Sequence, residues 1–249
     1  MGQKSIKIIY ENNDLAVIDK PADLTVHKTS DNDKQPTLVD YLVGKWPEIK
    51  NPPAGGWPDS SRAGIVHRLD KDTSGLIIIA INPETQKTLQ EQFKHHSVKK
   101  IYTLLCFGKT PEKGEIKTLT TRDDKLYNKQ KMSLMNFSWQ KGKSREAITT
   151  YKNIKYYDFD GQVLSLVEAQ ILTGRTHQIR NHFKFIDHPV IGDQMYFTKE
   201  SKQISDKLGL MRQFLHSSNL NLNIDDKNKS FHSDLPDDLQ KVLGELKLK

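Results

Sequence analysis

The chain has 249 residues, of which 35% are hydrophobic, enough to bury a sizeable core in one domain or two small ones. No apolar run approaches the roughly 18 residues that cross a bilayer, and the charged N-terminus does not fit a signal peptide. We therefore expect a cytosolic protein without a membrane segment. The only cysteine, Cys106, lies in an apolar stretch and is predicted to be a core residue, which excludes a disulfide. With 38 Lys and Arg against 31 Asp and Glu, the net charge of +7 favours a polyanionic partner such as a nucleic acid.

The first half of the chain alternates short predicted strands with polar turns. Strands are predicted at residues 5–10 and 14–18, and TLVDYLVGKW favours a short helix. Residues 47–63, rich in Pro, Gly and Ser, are typical of a mobile connector. The apolar run LIIIAI then predicts a buried strand, and Asn82 before Pro83 marks the start of a helix.

The second half contains more strands than helices. THQIRNHFKFIDHP favours a helix capped by Thr176, and apolar residues at helical spacing from Leu235 to Leu246 predict a last helix. Strand patterns occur in KKIYTLLCFG, KMSLMNFSW, AITTYKNI and VLSLVEAQIL. Together these elements predict an α+β fold, with a mixed, mainly antiparallel sheet flanked by helices and loops. We expect one domain over residues 1–249.

The stretch GIVHRLDKDTSGLIIIA places several charged side chains directly before the buried strand. If IVHRLD is extended, Val66, Arg68 and Asp70 share one face, and Asp70 lies at the mouth of the strand. A carboxylate there needs a cation that keeps it ionised, which would make it a poised nucleophile or base. The alternative is a surface turn in which Asp70 and Asp72 bond to backbone amides.

Three further stretches carry candidate site residues. KPADLTVH holds Lys20 and His27 around Pro21, KKIYTLL holds Tyr102, and LTGRTHQIRNH places Arg175 and Arg180 at the start of a helix, where backbone amides also favour anions. Each has a simpler explanation: a solvated lysine, a packed tyrosine and arginines on a helix surface.

The order and wording of these stretches resemble the pseudouridine synthases of the RluA type almost from end to end. The resemblance is carried by IIYENNDLAVIDKPADLTVH, GIVHRLDKDTSGLIIIA, KKIYTLLCFG, LTGRTHQIRNHF and HPVIGDQMY. It implies the pseudouridine synthase catalytic-domain fold and the isomerisation of specific uridines in structured ribosomal or transfer RNA.

The resemblance also implies roles for individual residues. Asp70 matches the catalytic carboxylate and Tyr102 the active-site tyrosine. Arg180 matches the arginine that pairs with the carboxylate, with Arg175 as the alternative. Arg68 matches a residue that enters the space left by the flipped base, and His67, Lys20 and Arg175 are further predicted substrate contacts. Neither a cofactor nor a metal is expected, and Asp70 either attacks the sugar or helps to abstract one of its protons.

Several expectations follow for partners and for departures from the family pattern. RNA is the expected partner of a monomer, without DNA, a membrane or a separate N-terminal RNA-binding module. Asp23 stands where the family usually has Gly, and Ala63 where Pro is common; both concern loop conformation. The segment LHSSNLNLNI also departs from the family pattern, so the C-terminal edge is expected to differ.

Two other classes of function are weighed against the enzyme. A catalytically silent RNA-binding relative would lose the Asp or the Tyr, and both are present. A metal-dependent hydrolase would use His177, His182 and His188, whose spacing lacks the pairing of a helical metal site.

Overall fold

The computed structural model describes residues 6–28, 35–50, 56–57, 62, 64–122, 130–133 and 144–249. The chain divides into two compact units, the first formed by Met1–Val98 with Ser217–Ser233 and the second by Lys99–His216 with Asp234–Lys249. The expectation of one catalytic domain stays a prediction. Within the described ranges, no helix has the length and apolar character needed to cross a membrane.

Strands outnumber helices in the described chain. The strands are β1 (Lys7–Glu11), β2 (Leu15–Lys20), β3 (Ser74–Ala80), β4 (Lys99–Phe107), β5 (Lys113–Arg122), β6 (Gln130–Ser133), β7 (Arg145–Phe159), β8 (Gln162–Ile171), β9 (Leu215–Ile224), β10 (Lys227–His232) and β11 (Lys247–Leu248). The helices are α1 (Leu38–Lys45), α2 (Pro47–Lys50), α3 (Pro83–Lys94), α4 (Gln178–Phe185), α5 (Lys199–Lys207) and α6 (Asp237–Gly244).

In the first unit, β2 pairs antiparallel with β1 on one side and with β3 on the other, and β9 pairs antiparallel with β10. All seven residues of β3 are buried. Alternate residues of β3 pack with Leu15 and Val17 of β2, with Leu89 of α3 and with Leu220 and Leu222 of β9. This apolar core fixes β3, and therefore the residues that lead into it.

In the second unit, the strand order β4-β8-β7-β5-β6 is joined by antiparallel pairs, and β11 pairs antiparallel with β7. Leu105, Leu164 and Phe214 form a core with apolar residues of α5 and α6. Cys106 is fully buried in β4, and burial raises the pKa of its thiol, so the predicted core role is confirmed. The predicted α+β class with mainly antiparallel pairing is confirmed as well.

Helix ends show where local signals decided the structure and where they did not. Asn82 caps α3 by accepting the N–H of Thr85, as predicted. The predicted Thr176 cap is wrong, because α4 begins at Gln178 after His177, whose φ of 53° is left-handed and whose side chain makes no cap hydrogen bond. The part of KMSLMNFSW after Ser133 lies outside the described residues.

His182 of α4 is a buried, neutral histidine whose ring contacts two neighbouring strands, β5 and β7. Its ring nitrogens lie 2.8 Å from Thr149 Oγ1 of β7 and 3.0 Å from Thr118 Oγ1 of β5. Burial lowers its pKa from 6.5 to about 4. A neutral imidazole suits two hydroxyls because one ring nitrogen donates and the other accepts.

We expect His182 to make the protein less stable in mild acid. The unfolded chain binds a proton at this residue below pH 6.5 and the folded chain only near pH 4. Its contribution to the free energy of unfolding is therefore full above pH 6.5 and falls by roughly 3 kcal/mol as the pH drops to 4. Urea unfolding at pH 7 and 4.5 measures this. His182→Gln should flatten the pH dependence, whereas His96→Asn, at an exposed left-handed position, should leave it unchanged; equal slopes in all three proteins would contradict the assignment.

Candidate active site

Asp70 lies in a tight turn directly before β3. The Asp70 carbonyl accepts the N–H of Thr73 at 3.1 Å, which closes the turn through the backbone, and the Asp70 side chain is half-buried. The preceding residues form no regular strand, the condition under which Val66, Arg68 and Asp70 would share one face: within residues 65–70, Ile65 alone forms a bridge, to Ile79. His67 Nε2 instead accepts the N–H of Ile78 at 3.0 Å, so a side chain takes a place that a strand backbone would otherwise fill.

Gly75 allows the chain to pass tightly from this turn into β3. Its φ is +110°, and a Cβ there would lie 2.3 Å from the carbonyl oxygen of Ser217. Any larger residue would push β3 away from Ser217, whose hydroxyl donates to the Leu76 carbonyl at 3.1 Å. Gly75 therefore lets β3 lie directly against Ser217, immediately after the turn that contains Asp70.

Lys20 supports the turn from the other side. Its side chain is fully buried, and Nζ donates to the carbonyls of Pro21, Leu24 and Lys71 at 2.8, 3.0 and 3.0 Å. Three carbonyl acceptors match the three donors of an ammonium group, which offsets the cost of burying the charge. Lys20 thus holds the carbonyl next to Asp70, and its predicted contact with substrate stays a prediction.

The departure at Asp23 has a local explanation. Its φ is 60°, a left-handed conformation in which Gly is favoured and Asp is one of the tolerated residues. The Asp23 carboxylate lies 3.0 Å from Nζ of Lys71, and the N–H of Leu24 donates to the Lys71 carbonyl at 3.2 Å. The loop after β2 is thus attached to the turn that contains Asp70 through both side chain and backbone. Ala63 lies outside the described residues.

Basic side chains gather before the turn. Arg68 is exposed, whereas His67 is half-buried and stacks on Phe93 with 4.7 Å between ring centroids. Both line a cavity of about 210 Å³ together with His27 and Arg62. Arg68 is exposed and therefore accessible to RNA. The His67 ring, in contrast, already contacts Ile78 of β3 and Phe93 of α3.

Tyr102 lies in β4 of the second unit, opposite Ala169 of β8, and is 5% exposed. Lys100 precedes it by two residues and therefore shares its face of the strand. Lys100 is 7% exposed, and burial lowers its pKa from 10.5 to about 8. Lys100 is not among the predicted site residues, although its spacing from Tyr102 in KKIYTLL places the two on one face of a strand.

Arg180 of α4 forms a buried, bidentate ion pair with Asp193. Its Nε and Nη2 lie 2.6 and 2.9 Å from the two carboxylate oxygens, and the two side chains are 8% and 0% exposed. Asp193 also accepts the N–H groups of Met195 and Tyr196 at 2.8 and 2.9 Å. Burial alone would raise the pKa of Asp193, but the hydrogen bond and charge of Arg180 and these two amides hold it below its usual value.

The ring of Tyr196 also packs beside Arg180. The guanidinium carbon lies 5.3 Å from the centroid of the Tyr196 ring, a cation–π contact, and His177 Nδ1 lies 3.2 Å from the Tyr196 hydroxyl. Asp193 and Tyr196 belong to HPVIGDQMY, which was noted only as part of the resemblance. No periodicity signalled their roles, because both lie in a loop.

Gln178 orders the loop that contains Arg175. Its Oε1 accepts the Arg175 N–H at 3.0 Å and the Thr173 hydroxyl at 2.8 Å, and its Nε2 donates to the Ile148 carbonyl at 2.9 Å. Arg175 Nε donates to the Glu146 carbonyl at 2.9 Å. Partial burial and the charge of Arg145 lower the pKa of Arg175, against an opposite effect of Glu146. The half-buried Arg175 is thus tied to β7, while Arg180 points into the ion pair.

The three histidines weighed as metal ligands have separate partners. His182 contacts two threonines, His177 contacts Tyr196, and His188 Nδ1 lies 2.8 Å from the Phe107 carbonyl. Within the described part of the chain, no group of three or more His, Cys, Asp or Glu side chains could hold a metal ion.

Comparison with known proteins bears on this arrangement. Residues 14–185 match the family model described as RNA pseudouridylate synthase, a range that contains Asp70, Tyr102 and Arg180. The chain belongs to the RNA pseudouridylate synthase family. The resemblance deduced from the motifs is therefore confirmed, while the role of each site residue stays a prediction.

Relatives of this family align along nearly the whole chain. The chain is 34% identical over 98% of its length to ribosomal large subunit pseudouridine synthase D of Neisseria meningitidis serogroup A, and it spans 62% of that protein. It is 32% identical over 94% of its length to the protein of the same name from Zymomonas mobilis, of which it spans 71%. The chain thus covers less than two thirds of the Neisseria relative and somewhat more of the Zymomonas one.

Solved structures confirm the predicted pseudouridine synthase fold. Human RNA pseudouridylate synthase domain containing 1 has a TM-score of 0.76 at 24% identity, and the match covers 100% of this chain and 91% of that one. Human RNA pseudouridylate synthase domain containing 4 has a TM-score of 0.74, also at 24% identity, with 98% and 94% covered.

Proposed function

We propose that this protein is an RNA pseudouridine synthase in which Asp70 is the catalytic carboxylate. The observation that carries the proposal is the set of contacts that hold the turn containing Asp70, in a chain that belongs to the RNA pseudouridylate synthase family. The turn is closed by its own backbone, attached to β3 by Gly75 and held from behind by the buried ammonium of Lys20. Such support fixes a reactive group within the narrow range that catalysis requires.

The chemistry needs one carboxylate and no consumed reagent. The bond between the ribose and the uracil nitrogen breaks, the base turns, and a ring carbon bonds to the ribose as its hydrogen leaves as a proton. Asp70 would either attack the ribose or take one of its protons, and both routes need it ionised.

Tyr102 and Arg180 are proposed to take the two remaining roles. The ring of Tyr102 would pack against the released base, and its hydroxyl would help to remove the last proton. The cation of Arg180, held rigid by Asp193, would keep Asp70 charged and oriented. Arg175, which is bonded to the Glu146 carbonyl, is the alternative partner of Asp70.

Arg68 is proposed to stabilise the flipped-out state of the target nucleotide. A uridine in a stack has to leave it before the ribose bond becomes accessible, and a side chain that fills the gap holds the open state. We expect Arg68→Ala to lower turnover roughly tenfold while RNA affinity changes by less than about threefold. Lys87→Ala, which removes another exposed cation of the same unit, should change neither quantity. Parallel losses of affinity and turnover in Arg68→Ala would show an ordinary phosphate contact.

We propose ribosomal RNA of the large subunit as the substrate, because the relatives named above act, by their names, on that subunit. The test is to map pseudouridines in total RNA from cells with and without the gene. A site in large-subunit ribosomal RNA that disappears with the gene supports the proposal, and the purified protein should restore it without added metal or nucleotide. Loss of a transfer RNA site instead would overturn the substrate, and loss of none would overturn the activity.

A further inference from the structure

A notch interrupts one side of β7 in the second unit. Strand β5 accompanies β7 as far as the pair Lys113 and Lys152, and β11 accompanies it from the pair Leu248 and Tyr157. Since β8 occupies the other side of β7 along this length, β5 and β11 share one side; the Asn153 N–H still donates to the Glu112 carbonyl and the Tyr156 carbonyl accepts the Lys249 N–H, so residues 154–155 lie uncovered between them. The cavity there has a volume of about 700 Å³, and we call it the β7 notch.

A β-bulge shapes the β7 notch. The register with β8 shifts between Asn153 and Lys155, so that Ile154 is an extra residue in β7. As a result, Ile154 and Lys155 are both exposed in succession, where a regular strand would turn one of them to the other face. Bulges redirect side chains and often accompany functional sites.

The lining of the β7 notch is strongly basic. It contains Lys113, Lys152, Lys155 and Lys249, with Glu112 as its only acidic side chain. In the described part of the chain, the first three lysines have no carboxylate within ion-pair distance, whereas Lys249 lies 3.4 Å from Asp158. Mutual repulsion of these ammonium groups would be relieved by a bound polyanion.

Two further features distinguish the β7 notch from a solvated lysine surface. Ile154 is 40% exposed and Leu248 is 70% exposed, so apolar surface lies between the cations. The side-chain oxygen of Asn153 is buried and has no hydrogen-bond partner among the described residues, so one acceptor within the lining is unused, although it is closed to solvent. The exposed apolar surface suits contact with a ribose, as lysines suit its phosphates.

We propose that the β7 notch binds the sugar–phosphate backbone of the substrate RNA at nucleotides other than the one that reacts. The choice of RNA as the ligand rests on the proposed function. RNA is favoured over an acidic protein segment because it is the polyanion that the proposed reaction itself brings to the protein. The notch contains none of the residues assigned to catalysis, so it contributes affinity and not turnover.

The first test uses binding of a labelled 20-nucleotide oligouridylate at several salt concentrations. Lys152→Ala/Lys155→Ala should weaken binding about tenfold at low salt and reduce the log–log salt slope by about 1.4, the value for two single-strand phosphate contacts. The control, Lys227→Ala/Lys241→Ala, removes two lysines that are equally exposed and equally without a carboxylate partner. Equal losses of affinity in both variants would overturn the proposal that the β7 notch binds RNA, as would tighter binding of a polyglutamate peptide than of the oligouridylate.

The second test needs no variant. Brief acetylation of the wild-type protein, followed by mass spectrometry, should show that oligouridylate protects Lys113, Lys152 and Lys155 at least several-fold more than Lys241. Uniform protection would contradict the proposal. The activity assay separates the two proposals: turnover should survive in Lys152→Ala/Lys155→Ala with a raised KM. A wild-type protein without turnover, but with these lysines protected, would overturn the proposed reaction and keep the notch.

Discussion

Asp70→Asn should lose pseudouridine formation by roughly 10³-fold or more while it folds and binds RNA like the wild type. The amide has the size of the carboxylate but neither attacks a ribose nor takes a proton. Folding should survive because the turn is closed by the Asp70 carbonyl, which Asn retains. The measurement is release of tritium from RNA labelled at the uracil ring carbon that loses its hydrogen, since this label reaches water only when product forms.

Two variants make the Asp70 test specific. Asp72→Asn removes a carboxylate from the same turn, two residues later, and should retain activity within a few-fold. Tyr102→Phe keeps the aromatic ring but loses the hydroxyl, so it should be slow or inactive if the hydroxyl helps to move the last proton. Near wild-type turnover of Asp70→Asn would leave the simpler reading of GIVHRLDKDTSG, a surface turn, as the correct one.

The elements that were predicted correctly carry their signal in their own residues. Asn82 before Pro83 starts α3 because capping and the fixed φ of proline act locally, and LIIIAI forms β3 because an apolar run of that length has to be buried. The helix at Lys199–Lys207 was overlooked because its sequence is almost entirely polar, and only Ile204 and the two serines on its inner face are buried. Packing of this inner face against residues distant in the sequence, rather than a local apolar pattern, therefore stabilises the helix.

The candidate site shows the same contrast between local sequence signals and contacts with distant residues. The resemblance supplied Asp70, Tyr102 and Arg180, but the interactions that hold them come from residues far away in sequence. Lys20 is one of the predicted substrate contacts, and nothing in the neighbouring sequence indicates that its ammonium group binds three carbonyls, one of them 51 residues away. Asp193 was missed for the same reason, since its partner Arg180 lies on another element.

The second large effect on activity is expected when Asp193→Asn breaks the ion pair between Arg180 and Asp193. The amide removes the negative charge beside a buried guanidinium but keeps the side-chain oxygen that accepts the amides of Met195 and Tyr196. Removing one partner of a buried ion pair costs about 3 to 5 kcal/mol, so Arg180 should move away or the protein should become less stable. We expect a roughly hundredfold fall in kcat, the size of a displacement of about 1 Å at a catalytic group, with a smaller change in KM.

A surface ion pair of the same geometry provides the control. Arg212 binds Asp238 through Nε and Nη2 at 2.6 and 2.9 Å, but Asp238 is 52% exposed, so Asp238→Asn should change kcat by less than about twofold. Arg180→Met/Asp193→Asn separates positioning from stability, because it also removes the buried guanidinium charge while Asn still accepts the two amides. Its thermal midpoint should recover above that of Asp193→Asn while activity stays lost. If activity recovered together with stability, the pair would serve the fold alone and Arg180 would have no part in the reaction.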